Sequence, residues 1–92
     1  MVVIKRDGRE TEFDKQKIFA AICAAFDDVA NISINKMDND AKEGISGKIV
    51  ARLHSRYRKR NRAISVEEIQ DDVETELMKE GAFLQAKAYI KY

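Results

Sequence analysis

The dipeptide Asp7-Gly8 lies between two short stretches of β-branched and alternating residues. Asp-Gly in that setting is the strongest short-range signal for a β-hairpin, and it commits the start of the chain to two antiparallel strands. A two-residue loop sets Arg6 opposite Arg9, Lys5 opposite Glu10, Ile4 opposite Thr11, Val3 opposite Glu12 and Val2 opposite Phe13. That register predicts one apolar face made of Val2, Ile4, Thr11 and Phe13. It also gathers Lys5, Arg6 and Arg9 at the tip, with Lys15 and Lys17 following in the first turn of a helix. Facing arginines are unfavourable across a ladder, and lysines are unfavourable at a helix N-terminus. Broken local rules of this kind concentrate at functional sites. The charge pattern alone leaves two readings: an anion-binding site, or long side chains splayed into water.

Ninety-two residues bound the fold to a single domain, 1–92, with a modest core. With 45% hydrophobic and 36% charged residues, the composition is that of a folded chain rather than a disordered one. Net charge is +1, so any basic patch is local. That argues against a general nucleic-acid coat while allowing a focused phosphate site. No apolar run is long enough to span a bilayer and no signal-peptide pattern opens the chain, so no membrane partner is expected. The single cysteine, Cys23, falls on an apolar helix face. It excludes a disulfide framework or zinc cluster within these residues and points to a cytoplasmic setting.

Four helices follow the hairpin. Asp14 is the expected N-cap of the first, whose apolar face is Ile18, Ile22, Ala25, Phe26 and Val29. The second is expected to start near Asn35 or Lys36 and to carry Met37, Ala41, Ile45, Ile49, Leu53 and Tyr57 at intervals of four, with Val50 beside them. It ends in a basic run over residues 56–62, which favours the negative end of a helix dipole and serves solubility. The third helix has the clearest start: Ser65 as N-cap, Glu68 completing a capping box, and Ile64 and Ile69 as a hydrophobic staple. Val66, Ile69, Val73 and Leu77 line its inner face, and Lys79 with Gly81 mark its end. A fourth begins at Ala82-Phe83, places Phe83, Ala86, Tyr89 and Ile90 inward, and stops at Tyr92 without a cap. The expectation is a mainly α, α+β domain: a four-helix bundle capped by an N-terminal β-hairpin, cut from a longer chain.

Catalytic and metal chemistry find no support. His54 is a lone helical histidine, and Cys23 has no identifiable base. Acidic pairs such as Asp27-Asp28 and Asp71-Asp72 read as solvated faces. The phosphate-loop pattern Gly-x-x-x-x-Gly-Lys-Ser/Thr is missing, and residues 44–48 do not supply it.

Two blocks carry a family resemblance. Residues 3–9, with Phe13-Asp14 and Lys17-Ile18 close behind, resemble the opening of an ATP-cone. Residues 64–70 resemble the start of that domain's third helix, and residues 73–78 and 86–90 its end. ATP-cones are regulatory domains of ribonucleotide reductases that bind ATP or dATP. The resemblance implies that effector phosphates meet Lys5, Arg6 and Lys17, and that Val3 contributes backbone contact. It places Asp14 near adenine or ribose, and Ser65 and Lys87 at the pocket border. Some members carry a glutamate where this chain has Thr11, with Glu12 next to it. A triphosphate effector can bring Mg2+; no catalytic cofactor is implied.

Residues 77–81 and 86–92 look most like the anaerobic, class III ribonucleoside-triphosphate reductase, an oxidoreductase of deoxyribonucleotide synthesis. The implied partners are that parent's catalytic domain and a homo-oligomer built through it. An aerobic reductase large subunit or a repressor of reductase genes is the alternative parent. Two other readings stand beside these: a nucleic-acid-binding module using Arg52, Arg56, Arg58, Lys59, Arg60 and Arg62, and a helical interaction domain without a ligand.

Overall fold

The computed structural model describes residues 1–32, 39–60 and 62–90. Strands β1 (Val2–Ile4) and β2 (Glu10–Glu12) form the hairpin, and helix α1 (Lys15–Ile32) follows. Helix α2 (Asn39–Arg58), strand β3 (Ile64–Ser65), helix α3 (Val66–Lys79) and helix α4 (Phe83–Ile90) complete the chain. The expected start of the second helix near Asn35 or Lys36 lies outside the described residues, as does Met37.

The hairpin forms where expected but in a different register. Val2 pairs with Glu12, Val3 with Thr11 and Ile4 with Glu10. The connection is the three residues 6–8: Gly8 N–H donates to Lys5 C=O at 2.9 Å and Lys5 N–H to Arg9 C=O at 2.8 Å. A two-residue loop of the type assumed from Asp-Gly needs positive φ at both residues. Only Gly8, at φ 87°, adopts it, and no described non-glycine residue does. Asp7 stays in an ordinary conformation and accepts the Arg9 N–H at 3.1 Å through Oδ1. Slipping the register by one residue turns every side chain over. Val3 is therefore the core residue at 5% exposure, while Ile4 is 37% exposed. The expected face of Val2, Ile4, Thr11 and Phe13 does not form. The opposed arginines separate too: Arg9 Nε pairs with Asp7 Oδ2 at 2.6 Å, and Arg6 reaches to α3.

A third strand went unread in the sequence. β3 joins β1 in parallel, Val3 beside Ile64 and Ile4 beside Ser65, giving the order β2-β1-β3. Two residues carry no periodic signal, so Ile64 reads from sequence only as a staple. Ser65 then caps α3, its Oγ accepting the Glu68 N–H at 3.1 Å. At the other end Ala82 N–H donates to Leu77 C=O at 2.9 Å and Gly81 N–H to Met78 C=O at 3.0 Å. With Gly81 at φ 80°, this is a Schellman stop.

The core lies where the helices meet under the sheet. It contains Ile22, Ala25 and Phe26 of α1, Ile49, Leu53 and Tyr57 of α2, Val73 and Leu77 of α3, and Ala86 and Tyr89 of α4. α1 packs against α2 and α4, and α3 against α4 and α2. On α4 the expected inner face is half right. Ala86 and Tyr89 are buried, but Phe83 and Ile90 are exposed. Ala82, Ala86 and Tyr89 make the inward face, and Phe83 and Ile90 fall on the outer one.

The basic run also has a specific use. Lys48, Arg52 and Arg56 on α2 and Arg60 just beyond it recur every four residues, and Glu68, Asp72, Glu76 and Glu80 recur every four on α3 and its cap. The two series run antiparallel and meet. Lys48 lies 3.2 Å from Glu80, Arg52 3.3 Å from Glu76, and Arg56 2.7 Å from Glu76 and 3.9 Å from Asp72. Arg60 pairs with Glu68, which Arg62 also reaches at 3.1 Å. These cations neutralise a neighbouring helix, beyond the dipole complementarity expected from sequence.

Candidate functional site

Between the sheet and the bundle lies a cavity of about 610 Å³. β1 contributes Val3, Lys5 follows directly after the strand, β2 contributes Thr11 and Glu12, and Phe13 and Asp14 lead into residues 15–18 of α1. α3 adds Val66, Ile69 and Gln70, and α4 adds Tyr89. Each arrives there for a local reason. The end of β1 presents Lys5 because Gly8 closes the turn directly beyond it. Asp14 starts α1, its Oδ1 accepting the N–H groups of Gln16 at 3.0 Å and Lys17 at 3.2 Å. The residues that follow then point their N-terminal turn at the cavity. Phe13 is braced from behind, its ring stacked on His54 and edge-on to Tyr57, both with centroids 5.8 Å away.

The charge balance is what distinguishes this cavity. Lys5, Lys15 and Lys17 line it, and among the described residues none of the three has a carboxylate within ion-pair distance. Most other cations among the described residues have a carboxylate partner. With Glu12 and Asp14 on the same wall, the three lysines leave the lining net positive and so attractive to an anion. Val3, Ile18, Val66, Ile69 and Tyr89 add apolar surface to the same lining. Such a site suits a ligand with one flat apolar part and one polyanionic part. The nearby imidazole of His54 is held below its ordinary pKa, first by burial and then by Lys15, Arg58 and the N-terminus.

The sequence-derived residues divide. Val3, Lys5, Asp14 and Lys17 come together on the cavity wall. Arg6 is not among the lining groups; it bridges to Glu67 and Gln70 on α3. Ser65 and Lys87 are not on the wall either: Ser65 caps α3, and Lys87 is exposed on α4. Sequence reading missed Gln70 and Tyr89. Gln70 shares a face with Val66 in the first turns of α3, and that helical spacing beside the Ser65 cap was the available signal. Among the described residues no three His, Cys, Asp or Glu side chains converge on one point.

Residues 1–92 match the ATP cone domain model, and the chain belongs to the ATP cone domain family. It is 37% identical over 92 residues to a ribonucleoside-diphosphate reductase subunit alpha of Chlamydia muridarum (strain MoPn / Nigg), covering 98% of this chain and 9% of that protein. It is 38% identical over 96 residues to the corresponding subunit of Chlamydia pneumoniae, covering 100% of this chain and 9% of that one. A vitamin B12-dependent ribonucleoside-diphosphate reductase of Thermoplasma acidophilum is 41% identical over 95 residues, covering 98% of this chain and 11% of that protein. The chain thus spans about a tenth of the length of these relatives.

Proposed function

We propose that the chain is an ATP- and dATP-binding allosteric domain that controls the overall activity of a ribonucleotide reductase. The observation that carries this reading is that Lys5, Lys15 and Lys17, without an ion-pair partner among the described residues, line one cavity together with apolar side chains. Lys5 and Lys17 hold the phosphates through their ammonium groups, since the Gln16 and Lys17 N–H groups are already taken by Asp14. The adenine lies against the apolar wall, within reach of Thr11, Glu12 and Gln70. ATP and dATP differ only at the ribose 2′ position, so phosphate contacts do not separate them. Discrimination belongs to the ribose surroundings or to coupling with the catalytic domain and its oligomer. The 92 residues regulate and do not catalyse.

For the parent, residues 77–81 and 86–92 support the anaerobic ribonucleoside-triphosphate reductase. A second parent, a diphosphate reductase large subunit, is favoured by the identities of 37–41% to such proteins. A glycyl-radical segment in the parent gene decides for the first, and its absence for the second. Titration calorimetry of the chain with ATP and dATP tests the domain reading. Saturable binding of both is expected, and a folded chain that takes up neither refutes it.

A further inference from the structure

Arg6 stands next to Lys5 at the hairpin tip, yet its guanidinium is spoken for. Its Nε lies 3.3 Å from Glu67 Oε1, and its Nη2 donates to Gln70 Oε1 at 2.9 Å. Gln70 lines the cavity, so this link lies at its edge. Glu67 does not need Arg6. It occupies the first turn of α3, where the helix N-terminus already stabilises a carboxylate. The pair is also easily exchanged, since the Arg6 and Glu67 side chains are 66% and 56% exposed. An exposed ion pair contributes little, whereas a phosphate gives a guanidinium two parallel charge-assisted hydrogen bonds.

We propose that Glu67 is an internal anion that occupies Arg6 until a nucleotide's phosphates displace it. The proposal rests on the nucleotide reading above and adds a regulatory contact to the same site. The Glu67 carboxylate sets a threshold that a polyphosphate passes more readily than a monophosphate. Exchange also detaches the hairpin tip from the first turn of α3, so phosphate binding is felt on a second element.

The test is ATP affinity for the wild-type chain, Glu67→Gln, Arg6→Ala and the double variant, measured by displacement of a fluorescent ATP analogue. Glu67→Gln is expected to bind ATP about two- to fivefold more tightly, the scale of one released exposed pair. In the Arg6→Ala background the same change is expected to have no effect. An unchanged affinity in Glu67→Gln overturns the proposal. Equal tightening in both backgrounds also overturns it, because that result is plain charge repulsion. A lowered Tm of ligand-free Glu67→Gln with unaltered ATP affinity assigns Glu67 a structural role only. If the wild-type chain takes up no ATP, the nucleotide reading itself falls. Wild-type binding with an unresponsive Glu67 removes only the contact.

Discussion

Arg56 Nη2 lies 2.7 Å from Oε1 of Glu76, a carboxylate at 2% exposure and the one buried charged residue among those described. Arg52 is its second partner at 3.3 Å. Breaking a buried pair by deleting one member leaves the other charge poorly compensated. Arg56 is 38% exposed and Arg52 remains, so the full penalty is discounted. Arg56→Ala is expected to destabilise the fold by about 1–3 kcal/mol in urea denaturation.

The same seam sets the acid limit of the fold. Burial pushes the Glu76 carboxyl up, but Arg56, Lys79 and Arg52 outweigh it and hold the group below the ordinary glutamate range. Arg62 and Arg60 do the same for Glu68, and Lys48 chiefly for Glu80. A carboxyl depressed in the folded state contributes stability above its unfolded pKa and loses it as pH falls through the folded one. His54, held below its ordinary range, removes a little stability as pH falls below about 6.5, and the seam carboxylates should add a steep drop in Tm below about pH 4.5. Glu76→Gln should make that drop shallower. A Tm that declines evenly from neutral pH would count against the seam as its source.

Gly8 is needed for its backbone. Its φ is 87°, and nothing lies within 4 Å of where a Cβ would stand. Gly8→Ala should cost about 1 kcal/mol through left-handed strain alone, while Gly8→Asn, which tolerates that region, should cost less. Chemical denaturation of the two variants checks the order.

Lys5→Ala and Lys17→Ala should each weaken ATP binding roughly tenfold or more, the scale of a charge-assisted hydrogen bond. Lys59→Ala is the control, since Lys59 is exposed and does not line the cavity. Calorimetry at two salt concentrations should show the loss shrinking as salt rises.

What could be read ahead of the structure was local. Asp7-Gly8, the Asp14 and Ser65 caps and the Gly81 stop each declare themselves within a few residues, because the physics that fixes them is short-range. The hairpin's loop length was not legible. It turns on whether Asp7 or only Gly8 takes a positive φ, and that choice decided whether Val3 or Ile4 faced the core. β3 has meaning only beside β1. The charged series on α2 and α3 were both visible, but pairing them requires knowing that the helices are antiparallel neighbours. On the candidate site, Lys5, Asp14 and Lys17 are close in sequence and were found together. Gln70 and Tyr89 come from distant helices and were not.

The parallel pairing of Val3 with Ile64 has a consequence for the order of folding. β1 is synthesised before β3, yet it is the central strand of the sheet. The hairpin can close early as a local event, but the sheet is complete only once Ile64 has left the ribosome. High sequence separation of this kind slows the final step of a small domain. The lysines from the hairpin and α1 meet the α3 wall in that same late step. A nascent chain therefore gains this cavity and its finished sheet together.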